Sequence, residues 1–330
     1  MHLMEVLIQP LQRIIDVEPG ANLLDALRNA QIPLSHSCMA GRCGTCRCRV
    51  VSGNVLESSG EQQNPLSDDA YVLACQTFLT EPCTIEIPEP DEIVVHPARI
   101  IKTTVVAVES LTHDIKRLVL KPAKPLEFSP GQYAQLQFAT DLVRPYSMAN
   151  IAADKTLEFH VRVMPGGRVS GYIANMLKIG DAVRVSGPLG SAYLRTKHEA
   201  PVLCVAGGTG LAPILSILRG ALSQGMPNPV HLYFGVRSRR DVYGLDDLAA
   251  LARQHPGLIL NVVIASGCDP RHERCGLVTE AIERDLGSLD GWRAYICGSP
   301  PMVEAATVLA RRKGITAARI YADAFYTQPT

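Results

Sequence analysis

The spacing of apolar residues changes character twice along this chain. In the first ninety residues the runs are short. Residues 5–9 and 13–17 alternate as strands, Leu23, Leu24 and Leu27 share one face of a predicted helix over 21–30, and 47–51 and 84–87 return to strand spacing. These spans predict a small mixed sheet with one helix around a cysteine-rich loop. The middle of the chain reads as β-branched segments at 100–108, 115–120, 133–138, 157–163 and 182–185, cut by Gly and Pro, with a single helix starting near Val169. That rhythm predicts an antiparallel barrel. In the last third, apolar strands at 202–206, 230–234, 258–264 and 294–297 are separated by helical patterns such as 211–222. Alternating strands and helices predict a parallel sheet, which binds ligands at the carboxyl ends of its strands.

The fold class expected is therefore multidomain, α+β followed by α/β. Its parts are a small N-terminal cysteine-bearing domain at 1–92, an antiparallel β-barrel domain at 98–198 and a parallel-sheet domain at 199–330. Charge supports the same divisions. The 32 basic side chains balance the 32 acidic ones in total, which gives no reason to expect nucleic-acid binding. Residues 1–97 nevertheless carry 5 basic and 13 acidic side chains and 98–198 carry 14 and 7, and the first lysine is Lys102. The prolines at 88, 90 and 97 mark an extended linker where the sign reverses. No apolar run approaches the roughly 18 residues needed to cross a bilayer, and no secretory leader is legible, so neither membrane nor export is expected and the location expected is cytoplasmic. In a reducing compartment ten cysteines point to metal or redox chemistry before a disulfide framework.

Cys38, Cys43 and Cys46, with Cys75 further on, have the C-x4-C-x2-C plus distant C spacing of a plant-type 2Fe-2S site. Four thiolates hold two ferric ions, and Gly41 and Gly44 let the backbone wrap closely enough to aim amides at sulfur. The alternative, a zinc knot, usually shows tighter paired spacing. Cys48 falls outside the set and is expected as a small packed residue near the cluster; Cys204, Cys268 and Cys275 are expected to be structural or incidental.

In the barrel segment Arg144, Pro145, Tyr146 and Ser147 end a strand, and Gly166, Gly167, Arg168, Val169 and Ser170 lead into a helix. A helix start built from small residues offers unpaired amides to a pyrophosphate, and a nearby Arg adds a charge-assisted bond. Tyr146 can pack on an isoalloxazine while Ser147 hydrogen-bonds its reactive edge. A buried Arg–Tyr pair beside a glycine turn is the plain structural alternative. His160, Val161 and Arg162 are assigned to the same cofactor. In the last segment Gly207, Gly208, Thr209 and Gly210, with Pro213 beyond, follow a strand and open a helix, the context in which a glycine loop cradles phosphate. Lys followed by Ser or Thr is missing there, which excludes a nucleoside-triphosphate loop. Cys297 and Gly298 end another strand with small residues that let a nicotinamide approach a flavin. Arg237, Arg239 and Arg240 follow the second strand of this segment, where an acid would repel a 2′-phosphate and guanidiniums would accept one, so both NADH and NADPH are expected as coenzymes. A solvated surface loop is the alternative reading of these arginines, and Asp241 leaves a route to NADH preference.

Taken together, these residues resemble over essentially the whole chain the reductases of aromatic-ring dioxygenase systems, of the naphthalene dioxygenase reductase type. The order of parts carries the resemblance: the cysteine set, Arg144 to Ser147, the Gly207 to Gly210 loop, Cys297 with Gly298, and the C-terminal segment ending Asp323, Ala324, Phe325. The resemblance implies a β-grasp ferredoxin domain, a barrel that binds FAD and a ferredoxin–NADP reductase-like nucleotide domain. It implies that Ser147, Cys297, Asp323 and Phe325 surround flavin and nicotinamide, where much of the wider superfamily carries Glu and Tyr at the last two places. The implied activity passes electrons from NAD(P)H through FAD and the 2Fe-2S cluster to a Rieske-type ferredoxin that feeds a ring-hydroxylating oxygenase, with the chain acting as a monomer. Direct delivery to an oxygenase, or a non-catalytic redox carrier, are the rival expectations. A flavin between nicotinamide and cluster is chemically required, because the first releases two electrons together and the second takes one.

One cluster and one flavin per chain are expected on chemical analysis. Cys75→Ser should abolish iron and acid-labile sulfide while leaving NADH-driven flavin bleaching intact, and zinc in place of iron would refute the assignment.

Overall fold

The computed structural model describes residues 3–34, 41, 46–58, 62, 63, 71–88 and 96–326. The chain divides into two compact units, one formed by Met1–Ala98 with Pro188–Ser191 and the other by Arg99–Gly187 with Ala192–Thr330. Among the described residues no helix is long and apolar enough to cross a membrane.

In the first unit β1 (Met4–Gln9), β2 (Arg13–Val17), β3 (Arg47–Ser52), β6 (Tyr71–Leu73) and β8 (Cys83–Glu86) form a sheet of order β2-β1-β8-β3-β6. β1 and β8 run parallel and the other pairs antiparallel, the mixed sheet expected of a β-grasp fold. Alternation sends Met4, Val6, Ile8, Ile15 and Val17 inward. The helix α1 (Leu23–Asn29) starts where Asn22 Oδ1 accepts the Asp25 amide at 3.3 Å, and buries Leu23, Leu24, Ala26 and Leu27 on that sheet. Ile87, taken from sequence as strand end and start of the linker, is buried and its amide donates to Gln9 O at 2.8 Å. A second sheet of β4 (Val55–Glu57), β5 (Gln62–Gln63) and β7 (Thr77–Leu79) was not foreseen, since strands of two or three residues carry no periodicity.

The second unit opens with a six-stranded antiparallel barrel sheet. Its strands are β9 (Arg99–Ser110), β10 (Ile115–Pro122), β11 (Tyr133–Ala139), β12 (Leu142–Ser147), β13 (Leu157–Arg162) and β14 (Ala182–Leu189), in the order β12-β11-β14-β9-β10-β13. Leu118, Leu120, Phe128, Leu136, Phe159 and Val183 fill it, and α2 (Arg168–Asn175) adds Val169 and Ile173 to this core. The parallel sheet follows, built from β15 (Val202–Gly207), β16 (Val230–Val236), β17 (Leu258–Ile264), β18 (Arg274–Cys275), β19 (Arg293–Gly298) and β20 (Ile320–Ala324). Its order is β18-β17-β16-β15-β19-β20, every pair parallel.

Helices cover both faces of that sheet, which explains why its central strands lack polar alternation. Cys204, Ala206, Leu232, Phe234 and Tyr295 meet α3 (Leu211–Ser223) and α4 (Leu245–Gln254) in one core. Leu203, Val205, Tyr233 and Ile296 meet α5 (Val278–Asp285) and α6 (Pro300–Arg312) in the other. The barrel and the parallel sheet share buried polar contacts. Ser216 on α3 accepts the Gly131 amide at 3.1 Å and donates to the Asn150 carbonyl at 2.7 Å, and it is fully buried.

Replacing Ser216 with Ala leaves both barrel groups unpaired in the interior, a loss of about 1–3 kcal/mol. Urea unfolding followed by flavin fluorescence should show the matching fall in midpoint, and an unchanged midpoint would mean that water replaces the hydroxyl.

Candidate redox site

Of the four cysteines expected to hold iron, Cys38 and Cys43 lie outside the described residues. Cys46 is buried just before β3, and Cys75 sits in the single 3-10 turn Ala74–Gln76 between β6 and β7. Both are free thiols whose sulfurs accept backbone amides: Gly41 N–H to Cys75 Sγ at 3.3 Å, and Cys75 N–H to Cys46 Sγ at 3.4 Å. Amides aimed at sulfur stabilise the anionic thiolate form that binds iron, so this half of the donor set fits a cluster. Gly41 has φ 71° and a Cβ there would stand 2.7 Å from Gln76, so glycine alone allows this wrap. Asn22, already the cap of α1, turns its Nδ2 to the carbonyls of Cys75 at 3.2 Å and Thr77 at 3.3 Å. Cys48 is packed in β3 as expected, and burial pushes its thiol far above the ordinary range.

On β12, Arg144 and Tyr146 are half-buried, Pro145 is exposed and Ser147 is buried. Gly166 and Gly167 turn the chain into α2, and Ser170 Oγ closes the turn by accepting the Met164 amide at 3.1 Å. The first intrahelical bond is Gly171 N–H to Gly167 O at 2.8 Å, so the amides of Arg168, Val169 and Ser170 precede it, as a pyrophosphate site requires. The Arg168 side chain itself pairs with exposed Asp141. Of the three β13 residues assigned to the flavin, Val161 is fully buried in the barrel core. The His160 ring is engaged on both sides: Nε2 lies 3.2 Å from Glu158 Oε1, and Nδ1 lies 3.0 Å from the Tyr243 hydroxyl. Arg117 donates to the other oxygen of Glu158 at 2.8 Å, and the Tyr243 hydroxyl also lies 3.3 Å from the Gly208 carbonyl. Although burial opposes it, bonding to His160 and Arg117 holds the Glu158 carboxyl down at about 2, while burial lowers His160 against the pull of Glu158. Arg162 differs from its neighbours, for its guanidinium lies against the glycine loop: a Cβ on Gly208 would stand 2.6 Å from Arg162 Nη2. Its Nε is buried with no hydrogen-bond partner and lies 3.8 Å from Asp114 Oδ2.

Gly207, Gly208, Thr209 and Gly210 join β15 to α3, and Pro213 falls in the first helical turn, where its missing N–H costs nothing. A Cβ on Gly210 would stand 2.0 Å from the Cys297 carbonyl, and one on Gly298 would stand 3.1 Å from the Gly207 backbone. Such a bare meeting of strand ends is a cradle that only glycine forms. Cys297 is fully buried, and β20 brings Asp323 to the register position beside it. Ser147 Oγ donates to Asp323 Oδ2 at 3.3 Å, and the Phe325 amide donates to Gly298 O at 2.8 Å. Burial raises the Asp323 carboxyl to about 6; burial and that carboxylate raise the Cys297 thiol well above its usual value. The four residues expected around flavin and nicotinamide thus converge from β12, β19 and the end of β20.

The arginine loop carries less free charge than its sequence suggests. Arg237 Nη2 donates to Asp114 and to Asp241 at 2.7 Å each, and Arg239 binds Glu273 through Nε at 2.7 Å and Nη2 at 2.9 Å. Arg240 is exposed. Asp241 is buried and accepts the Ser238 amide and hydroxyl, closing its own turn instead of facing a ligand. Cys268 and Cys275, expected as structural or incidental, are joined in a disulfide, because the turn between β17 and β18 returns their Cα atoms to 5.9 Å. The polar partners Glu158, Tyr243, Asp114 and Glu273 were not anticipated.

The chain matches three family models: a 2Fe-2S iron-sulfur cluster binding domain over 6–80, an oxidoreductase FAD-binding domain over 102–193 and an oxidoreductase NAD-binding domain over 204–307. It is 58% identical over 98% of its length, and 99% of the relative, to the ferredoxin–NAD(P)+ reductase component of the naphthalene 1,2-dioxygenase/salicylate 5-hydroxylase systems of Ralstonia sp. The corresponding component of the Pseudomonas putida naphthalene 1,2-dioxygenase system is 57% identical over the same shares. Among solved structures, an Amycolatopsis cytochrome P450 reductase matches with a TM-score of 0.72 at 35% identity, covering 98% of both chains. The ferredoxin reductase in carbazole 1,9a-dioxygenase matches with a TM-score of 0.67 at 27% identity, covering 98% of this chain and 99% of that one.

A carboxyl whose folded pKa lies above its unfolded value favours the native state below pH 3.8, and that contribution is lost as pH rises through about 6. Asp323→Asn, which cannot ionise, should therefore gain stability relative to the parent between pH 4 and pH 7. Denaturant midpoints compared at the two pH values test this, and a constant difference would show that Asp323 is not held neutral.

Proposed function

Because the chain belongs to the family of iron-sulfur flavoprotein ferredoxin–NAD(P)+ reductase components of dioxygenase systems, we propose that its acceptor is a Rieske-type ferredoxin that supplies a ring-hydroxylating oxygenase. It works as a monomer in the cytoplasm. Its domains are 1–92 for the 2Fe-2S cluster, 98–198 for FAD and 199–330 for NAD(P)H. The observation that carries the reading is the Ser147–Asp323 contact at 3.3 Å beside buried Cys297, which ties the flavin strand to the carboxyl edge of the nucleotide sheet. When bound, FAD takes the two electrons of a hydride and the 2Fe-2S cluster receives them one at a time.

The protein's part is position, exclusion of water and proton placement. Cys38, Cys43, Cys46 and Cys75 hold the cluster. Arg144, Tyr146 and the amides of Arg168, Val169 and Ser170 would hold the flavin, with Arg162 reaching from β13 toward phosphate. Gly207, Gly208, Gly210 and Gly298 would receive the nicotinamide nucleotide at strand ends that carry no Cβ of their own, with the Met302 side chain packed behind Gly207 and Gly298. Cys297, kept as a neutral thiol by burial, lines the nicotinamide side without introducing charge. Ser147 can turn its hydroxyl from Asp323 to the reactive edge of the ring, and Asp323, which titrates near pH 6, can take up or give back the proton that follows the hydride. Phe325, its amide fixed to Gly298, would pack against the flavin ring.

Purified chain should bleach its flavin under anaerobic titration with either NADH or NADPH. It should then reduce a Rieske-type ferredoxin much faster than it reduces an oxygenase supplied alone. Equal rates to both acceptors would make the ferredoxin unnecessary and would favour direct delivery.

A further inference from the structure

The second nucleotide strand, β16, ends in a loop whose arginines face carboxylates from elsewhere in the fold. In a parallel sheet this loop is the place where the adenosine ribose of a dinucleotide is read, and a 2′-phosphate there needs unpaired guanidinium edges. Arg237 is held between Asp114 and Asp241. Arg239 presents the edge formed by Nε and Nη2 to Glu273 as a two-point, in-plane pair, the same geometry a phosphate would use. Glu273 is itself held in place: its Oε2 accepts the Asp269 amide at 2.7 Å, and the turn that carries it is closed by the Cys268–Cys275 disulfide and by β18 pairing with β17. It therefore spans the loops after two neighbouring strands at their carboxyl ends.

We propose that Glu273 is a specificity-determining residue of the coenzyme site, which biases it toward NADH by occupying Arg239 and by repelling a 2′-phosphate. The proposal rests on the reading above that the β16 loop receives the adenosine ribose. Both effects act only on the phosphorylated coenzyme. NADH brings neutral ribose hydroxyls that need not displace the carboxylate, whereas NADPH brings a group of nearly two negative charges that must break the Arg239–Glu273 pair or sit beside it.

Glu273→Gln removes the charge and keeps an oxygen for the Asp269 amide. The ratio of kcat/KM for NADPH to that for NADH should rise about fivefold, chiefly through a lower KM for NADPH, the size of one solvent-exposed charge contact. Adding Arg239→Ala to that variant should return the ratio to its starting value. Glu273→Ala, should the first variant not accumulate, is expected to move the ratio in the same direction. An unchanged ratio in a variant with intact flavin and cluster absorption would overturn the role of Glu273. Inhibition by 2′,5′-ADP and 5′-AMP separates this failure from failure of the underlying reading. If Arg239→Ala leaves the relative inhibition by the two unchanged, the ribose lies elsewhere and the proposal falls with that reading.

Discussion

The ends of two neighbouring parallel strands meet backbone to backbone in the middle of the parallel sheet, and the candidate site is arranged around that meeting. Because Gly210 has no side chain, the loop from β15 can rest on the carbonyl of Cys297, where a methyl group would overlap at 2.0 Å. A contact of backbone on backbone has no rotamer to adjust, so displacement of one strand end is carried to the other. Through β20 it fixes Asp323, and through Asp323 it reaches Ser147 on the barrel. The glycines thus set how closely the loop after β15 approaches the end of β19, and with it the position of Cys297 and its neighbour Asp323.

Most of the architecture could be read from the chain because long strands and helices carry their period openly. The barrel strands and the central strands β15, β16, β17 and β19 coincide with the apolar runs to within a few residues. The short strands β4, β5, β6 and β7 were invisible, having too few residues to alternate. At the candidate site, the residues that the sequence singles out and the fold brings close are those in local motifs: Ser147 after Arg144, Gly207 to Gly210 after a strand, Cys297 before Gly298. Glu158, missed although only two residues from His160, is an exception; the other missed partners act across long separations. Tyr243 stands 83 residues from His160, and Asp114 stands 123 residues from Arg237. No local spacing signals such a pair, and only the packing of barrel on parallel sheet creates it.

Charge shows the same limit. Counting arginines suggested three open guanidiniums, but a count takes no notice of what faces them. Arg237 and Arg239 are each matched by carboxylates from other loops, and Asp241, which looked like a ligand for ribose, closes its own turn. Glu158 is the buried counterpart. Its ionised form survives in the interior only because Arg117 and His160 replace the water it has lost.

Asn22 has two employments that sit far apart in sequence. Its carbonyl oxygen starts α1, and its amide nitrogen grips the strand segment on either side of Gln76, next to a cysteine that belongs to the cluster set. One side chain therefore serves both an event of helix formation and an event of loop closure. The cap can form as soon as α1 is made, whereas the amide has nothing to grip until Cys75 and Thr77 arrive some fifty residues later. A change at Asn22 therefore strikes two elements of the first unit at once, the start of α1 and the turn that presents Cys75.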